Sequence, residues 1–255
     1  MKKIIKYVAI DILKNKIILT YTVCLFLFSF SIFNVEDIPS KGLLSLLNIV
    51  LIIVPLVSVL FPAIYVYNSS EFIELLVSQP LKRKTIWLSL FAGLSASMVL
   101  AYFTGVGIPV LIYQPDATGL TLILTGALLS VVFVAIAMLA AIRIRDKAKG
   151  IGVAILLWLY FSLLFDGLLL FILFQFADYP VEKFITGIIT LNPIDLCRIL
   201  VLLKMDVSAL MGYTGAVFKD FFGSQWGTWI SVLLLVTWSL FPLLLSLRRF
   251  KTKDL

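Results

Sequence analysis

Long apolar runs alternate with short charged segments along most of the 255-residue chain. Because about 20 helical residues cross a bilayer core of about 30 Å, apolar runs of that length predict membrane-spanning helices. Six runs meet or nearly meet this length: Ile17–Phe33, Leu43–Tyr67, Ile86–Tyr113, Leu120–Ile142, Gly150–Ala177 and Trp226–Leu247. The pattern therefore predicts an all-α polytopic membrane protein with one transmembrane domain over residues 1–255.

A seventh apolar stretch, Phe184–Leu203, contains charged and helix-breaking residues. Inserting Asp195 and Arg198 near the centre of a spanning helix would cost on the order of 5 kcal/mol. Asn192 and Pro193 suit the N-cap and first position of a new helix. The stretch is therefore predicted to form a hairpin of two short helices that dips into the outer leaflet before the last span.

The basic residues predict the orientation of the six spans. Sixteen of the 21 Lys and Arg residues fall in segments on one side, whereas eight of the 14 acidic residues fall on the other. Because basic residues near span ends are retained in the cytoplasm, both termini are predicted to be cytoplasmic and residues 178–225 extracytoplasmic. The same pattern explains the net charge of +7, so no nucleic-acid partner is predicted.

The first sixteen residues have an amphipathic pattern with helical period. Apolar side chains at positions 4, 5, 8, 9, 12 and 13 form one stripe, and Lys3, Lys6 and Lys14 lie opposite it. A basic polar face is typical of helices that lie on a membrane surface. Residues 1–16 are therefore predicted to form an interfacial elbow helix.

Residues 68–85, between the second and third spans, contain a second amphipathic helix that Pro80 should end. Its apolar face consists of Phe72, Ile73, Leu76 and Val77. Its polar face, which Leu75 interrupts, consists of Ser70, Glu71, Glu74, Ser78 and Gln79. Helices that lie on lipid usually carry Lys and Arg on the polar face. The glutamates therefore favour a protein partner.

Signatures of catalysis are largely missing from the sequence. The chain has no histidine, which excludes His-based acid–base catalysis and most zinc sites. No GxxxxGK[ST] phosphate loop is present, so ATP binding of the P-loop type is excluded. The five methionines are scattered and predict no copper-ligand track. A non-catalytic protein without cofactor or metal site is therefore predicted.

These elements in this order resemble the ABC-2 type of ABC-transporter permease over essentially the whole chain. Glu74-Leu75-Leu76, followed by Pro80 and a basic triplet, is similar to the cytoplasmic coupling segment of that family. Many members have Gly-Thr before Glu-Leu-Leu, whereas Phe72-Ile73 stand here. Further stretches resemble the permeases of the nitrous-oxide-reductase maturation system: LLVSQPLKRKTIWLSLFAG (75–93), FDGLLL (165–170), LNPIDLCRIL (191–200) and SALMGYTGA (208–216).

The resemblance implies the ABC-2 (type V exporter-like) fold in the bacterial inner membrane and a set of partners. These are a second copy of the chain, two copies of a separate P-loop ATPase and a periplasmic β-helical protein. The implied function is to couple ATP hydrolysis to copper-centre maturation of nitrous oxide reductase, through copper or sulfur handling or mechanical transmission. The residues implied to contact the ATPase are Glu71, Phe72, Glu74, Leu75 and Leu76.

Two further sets of polar residues are candidates for function. Asp166 lies in the fifth span, where it can form a structural interhelical hydrogen bond or serve a cargo path or gate. Asn192, Pro193, Asp195 and Arg198 are predicted to shape the docking surface for the outer partner. Three alternatives stay open: an ABC-2 exporter of another small molecule or lipid, a secondary transporter or channel that uses Asp166, and a membrane scaffold without a transport cycle.

Overall fold

The computed structural model describes residues 2–36, 38–176, 187–205 and 225–252, and the regular elements in those ranges are helices. In chain order they are α1 (Lys2–Leu13), α2 (Lys16–Val35), α3 (Pro39–Asn68), α4 (Ser70–Ser78), α5 (Arg83–Tyr102), α6 (Ile108–Tyr113), α7 (Ala117–Arg143), α8 (Lys147–Leu159), α9 (Phe165–Gln175), α10 (Pro193–Lys204) and α11 (Gln225–Thr252). Two π-helical turns, Phe103–Gly107 and Tyr160–Leu164, join α5 to α6 and α8 to α9.

Within the described residues, six helical segments are long and apolar enough to cross a membrane: α2, α3, α5 with α6, α7, α8 with α9, and α11. They coincide with the six predicted runs, so the prediction of a polytopic helical protein is confirmed. Several helices begin a few residues before the apolar run because a polar side chain caps them. The caps Asn15, Asp116 and Asp146 accept hydrogen bonds from the backbone N–H groups of Ile17, Gly119 and Lys149 at 2.9, 2.8 and 2.7 Å.

Successive spans run in opposite directions, so the termini of the bundle share one end. This basic end carries α4, the starts of α2, α5 and α8, and the last turns of α3, α7 and α11. The basic residues of the span ends are concentrated here, including Lys16, Arg83, Arg143 and Arg249. The sequence predicts that the basic end faces the cytoplasm, and this orientation stays a prediction.

The fourth span, α7, lies at the centre of the bundle and packs against α3, α5, α10 and α11. The Tyr102 hydroxyl of α5 donates a hydrogen bond to the Leu122 carbonyl of α7 at 2.9 Å. Gly126 makes this approach possible, because a Cβ atom there would overlap the Tyr102 ring. At the basic end, Trp87 stacks on Phe250 with ring centroids 4.5 Å apart, which joins α5 to α11.

The N-terminal helix α1 packs on the bundle through its apolar stripe. Val8 and Ile12 are fully buried, and α5 is the main neighbour of α1. Gly93 permits this contact, because a Cβ atom there would lie 2.7 Å from Cγ1 of Val8. The Tyr65 hydroxyl of α3 also donates to Oδ2 of Asp11 at 3.2 Å. The stripe therefore faces protein, and the placement of α1 on the membrane surface stays a prediction.

The penultimate described helix, α10, has 12 residues and is about 18 Å long, too short to cross the membrane. The predicted cap is confirmed, because Oδ1 of Asn192 accepts the backbone N–H of Ile194 at 3.0 Å and Pro193 follows at the first position. Residues 177–186 and 206–224 lie outside the described residues, and with them most of the predicted outer segment.

The contacts of α10 show how deeply it enters the bundle. Its last carbonyl, at Lys204, accepts from the Thr118 hydroxyl near the start of α7 at 3.4 Å. Its first residues lie near Phe161, which is 14 residues from Lys147, or about 21 Å along the fifth span from the basic end. The helix therefore runs from the interior of the bundle outward to the end opposite the basic end.

Candidate functional site

The apolar face of α4 is directed into the protein. Ile73 and Leu76 are buried, and Val77 is half-buried. The ring of Phe72 lies 5.4 Å from the ring of Tyr7 on α1. The predicted amphipathic helix is therefore confirmed, and its apolar face holds α4 against the rest of this chain.

The opposite face of α4 is open to the surroundings at the basic end. Glu71 and Glu74 are exposed, and Leu75 between them is 64% exposed. No ion pair of either glutamate occurs in the described part of the chain. The surface therefore presents two negative charges around one apolar side chain, a pattern suited to a basic, partly apolar groove.

The connection between α3 and α4 is almost continuous. The Ser69 N–H donates to the Tyr65 carbonyl at 2.9 Å, and the Ile73 N–H donates to the Ser69 carbonyl at 2.9 Å. Ser69 is the N-cap residue of α4, although its side chain makes no capping bond. Nζ of Lys147 also donates to Oδ1 of Asn68 at 2.7 Å. These bonds link α4 directly to the second span, and Asn68 links the end of that span to the start of the fifth.

The other end of α4 is a short connection to the third span. Residue 79, before Pro80, is extended (φ −81°, ψ 159°), as the proline ring requires of its predecessor. The helix ends at Ser78, so the predicted stop is confirmed. Arg83 begins α5 and donates to the Lys251 carbonyl of α11 at 3.2 Å. The third and sixth spans are thus tied together beside α4.

A charge cluster of Asp166, Asn192, Asp195 and Arg198 joins the fifth span to α10. The Arg198 guanidinium lies 2.9 Å from Oδ2 of Asp166 on α9 and 3.0 Å from Oδ1 of Asp195 on its own helix. Arg198 and Asp166 are 34% and 31% exposed, whereas Asp195 is 6% exposed. The structure therefore brings together two sets of residues that the sequence placed in separate roles.

The π-helical turn of the fifth span contributes a backbone acceptor to this cluster. The carbonyl of Phe161 accepts a hydrogen bond from Nδ2 of Asn192 at 2.9 Å. The same amide nitrogen donates to Oδ2 of Asp195 at 2.8 Å. Because π-helical turns are frequent at functional sites, this position combines a change in the helical hydrogen-bond pattern with an interhelical link.

Electrostatics distinguish the two carboxyl groups of the cluster. Burial, together with the nearby charge of Asp166, raises the pKa of Asp195 to about 7, and Arg198 only partly opposes this shift. Asp195 is consequently protonated more readily than an ordinary aspartate. When it is ionised, two carboxylates share one guanidinium, and when it is protonated the charges of Arg198 and Asp166 balance.

The four residues predicted to shape an outer docking surface are mostly inside the protein. Asn192, Pro193 and Asp195 are buried, and only Arg198 is partly exposed. Cys197 is also buried, and burial raises the pKa of its thiol. Docking of a partner here stays a prediction, and any effect of these residues on it would act through the position of α10.

Sequence reasoning missed the partner of Asp166, although one signal was available. Asn192, Asp195 and Arg198 are three residues apart, so they share one face of α10. Arg198 on that face can pair with an acidic residue of another helix, and Asp166 is the acidic residue of the fifth span. The roles of the Phe161 carbonyl and of Tyr7 had no signal in the sequence, because they depend on how separate helices pack.

Comparisons with known proteins agree with this architecture. The sequence matches the family described as ABC-2 family transporter protein over residues 4–255. It is 31% identical over 182 residues to the "Probable ABC transporter permease protein NosY" of Pseudomonas aeruginosa. The aligned region covers 66% of each chain. It is 27% identical over 168 residues to the protein of the same name from Stutzerimonas stutzeri, covering 61% of each chain. The chain thus matches just under two thirds of the length of these relatives.

Proposed function

Because this chain belongs to the ABC-2 family of transporter proteins, we propose that it is the membrane subunit of an ABC transporter and that α4 docks into a separate ATPase. Two copies of the chain form the membrane dimer, and each binds one ATPase below the basic end, in the cytoplasm. The chain itself is non-catalytic, and ATP hydrolysis belongs to the partner. The complex resides in the inner membrane of a bacterial cell.

The observation that supports this proposal is that the two faces of α4 have different environments. Its apolar face is occupied by its own chain, while Glu71, Glu74 and Leu75 are left exposed. The helix is also connected by a single residue to α3 and by four residues to α5. A partner that moves α4 therefore moves two membrane spans without melting any helix.

The similarity to proteins named NosY supports a more specific proposal. In it, the transporter drives maturation of the copper centres of nitrous oxide reductase, with a periplasmic β-helical protein bound at the end opposite the basic end. Movement of the fifth span reaches α10 through the charge cluster, and α10 then displaces the outer partner. What the transporter delivers is a copper species, a sulfur species or mechanical force alone.

Co-purification from native membranes tests the first level of the proposal. A tagged chain should retain a P-loop ATPase in a one-to-one ratio, and ATP turnover should require both proteins. Deletion of the gene for the membrane subunit should leave the reductase polypeptide in place but deficient in copper, as metal analysis measures. If the reductase from the deletion strain is fully loaded with copper while the chain still binds the ATPase, the chain is an ABC-2 exporter for another substrate. Absence of any ATPase would favour a scaffold or a secondary transporter.

The proposed orientation predicts a labelling pattern for single introduced cysteines. Lys41 at the start of α3 and Lys84 at the start of α5 are exposed at opposite ends of the bundle. An impermeant maleimide should label Lys41→Cys in intact spheroplasts and Lys84→Cys only after permeabilisation. Native Cys197 is buried and Cys24 lies within a span, so both should stay unlabelled in the folded protein. The reverse order of labelling would invert the topology.

A further inference from the structure

A cavity of about 420 Å³ opens at the basic end, between the last turns of α7 and α11. Three arginines line it, Arg143, Arg145 and Arg249, together with Ile142 and Thr252. A neighbouring cavity shares Ile142 and Arg145 with it and is lined by Ser70 and Glu74 of α4, whereas the charge cluster is formed by other helices. The positive-inside pattern alone explains basic residues at span ends, but it does not explain why three of them surround one cavity.

The three arginines of this cavity form no ion pair with a described carboxylate, and Glu74 lines the neighbouring cavity with Arg145. The ion pairs of the described residues both belong to the charge cluster, so no described carboxylate lies within 4 Å of Arg143, Arg145 or Arg249. Asp146, which follows Arg145, is used elsewhere, because its side chain caps α8 by accepting the Lys149 N–H at 2.7 Å. Three like charges around a common space repel one another, and a bound anion would relieve that repulsion.

The depth of the cavity indicates the class of anion. The fourth and sixth spans have 27 and 28 residues, so each is about 40 Å long and extends beyond the hydrocarbon core of about 30 Å. Arg143 and Arg249 on their last turns, and Arg145 just beyond α7, therefore lie at the level of the lipid headgroups. One turn deeper, Leu139 and Leu245 are partly exposed, which leaves an apolar surface above the charged one.

We propose that this cavity binds the phosphate of an anionic phospholipid, with the guanidinium groups of Arg143, Arg145 and Arg249 as its ligands. Planar guanidinium groups donate paired hydrogen bonds that match phosphate oxygens. Basic pockets between membrane helices on the cytoplasmic side are a known setting for acidic headgroups. The Thr252 hydroxyl at the rim adds a neutral donor. The bound lipid would brace the ends of the fourth and sixth spans beside α4.

Native mass spectrometry of the purified dimer with added phosphatidylglycerol or phosphatidylcholine tests this site. The unmodified protein should retain phosphatidylglycerol in preference to phosphatidylcholine. The triple variant Arg143→Gln/Arg145→Gln/Arg249→Gln should bind phosphatidylglycerol at least about tenfold more weakly, since each basic residue near an anionic headgroup contributes to binding. The control Lys14→Gln/Lys16→Gln/Lys84→Gln removes the same charge from exposed positions at the same end and should bind normally.

Three outcomes would overturn the proposal. The first is equal retention of both lipids by the unmodified protein, a result that does not depend on the folding of any variant. The second is displacement of phosphatidylglycerol by an equal concentration of inorganic phosphate, which would make the cavity a site for free anions. The third is a triple variant that keeps phosphatidylglycerol and loses the ATPase, which would assign the cavity to an acidic segment of that partner.

Discussion

Reversing both exposed glutamates of α4, Glu71→Lys and Glu74→Lys, is expected to release the ATPase from the membrane subunit. The reversal would set like charges against the basic groove that the proposal requires, and such contacts cost several kcal/mol at an interface. A cost of about 3 kcal/mol corresponds to roughly a hundredfold loss of affinity. Folding should be unaffected, because both side chains are exposed and make no ion pair in the described residues.

Co-purification and ATPase turnover in reconstituted membranes measure this effect. The matched control Glu71→Asp/Glu74→Asp keeps both charges and should retain the partner. If the doubly reversed variant binds the ATPase and couples ATP turnover at the wild-type level, α4 is an ordinary loop helix and the docking proposal is wrong. Normal binding with uncoupled ATP turnover would still support the proposal, because it would show that α4 transmits motion.

The apolar residues of α4 need a different interpretation from the one that the family resemblance implies. Phe72 and Leu76 pack against this chain, so their replacement by alanine should loosen α4 from the bundle. Leu75 is the apolar side chain that a partner can reach. Leu75→Asp should therefore weaken ATPase binding without lowering thermal stability, whereas Phe72→Ala/Leu76→Ala should lower both.

Replacing Arg198 by alanine is expected to uncouple α10 from the fifth span. The variant loses two hydrogen bonds to charged groups, at 2.9 and 3.0 Å, each contributing about 1.5 to 3 kcal/mol when well formed. Partial exposure of Arg198 and Asp166 places the cost towards the lower end of that range. Under the proposed function, copper loading of the reductase and binding of the periplasmic partner should fall, while the ATPase, which is proposed to bind at the basic end, should stay.

Two isosteric variants separate a specific link from general instability. Asp166→Asn removes the interhelical ion pair and should reproduce the loss seen with Arg198→Ala. Asp195→Asn keeps a neutral side chain beside Asn192, so it should cause only a small loss of copper loading and partner binding. Equal loss of ATPase and outer partner in every variant would show misfolding and contradict the role of the cluster in transmission.

The raised pKa of Asp195 also predicts a pH dependence. Between the ordinary carboxyl range and about pH 7, the folded protein holds a proton on Asp195 that the unfolded chain has released. The stability contributed by that proton is complete at low pH, declines as pH rises to about 7, and is absent above it. Thermal unfolding should therefore show Asp195→Asn gaining stability relative to the unmodified protein as pH rises from about 5 to 8.

The sequence by itself determined the spans, the cap of α10 and the amphipathic nature of α4. Each of these is a local property, since a spanning helix needs only length and apolarity and a cap involves residues two or three positions apart. Asn192 as a cap and Pro80 as a stop are confirmed for the same reason. Even the exclusion of a seventh span followed from the cost of Asp195 and Arg198 in a membrane.

The tertiary structure alone decided which polar groups meet and which apolar faces are already occupied. Asp166 and Arg198 are 32 positions apart in different helices, and the register of α10 against α9 determines their contact. That register depends on the packing of α10 against α7 and against the π-helical turn at Tyr160–Leu164. The burial of Cys197, the contact of Phe72 with Tyr7 and the grouping of three arginines around one cavity likewise depend on contacts between separate helices, which helical periodicity does not encode.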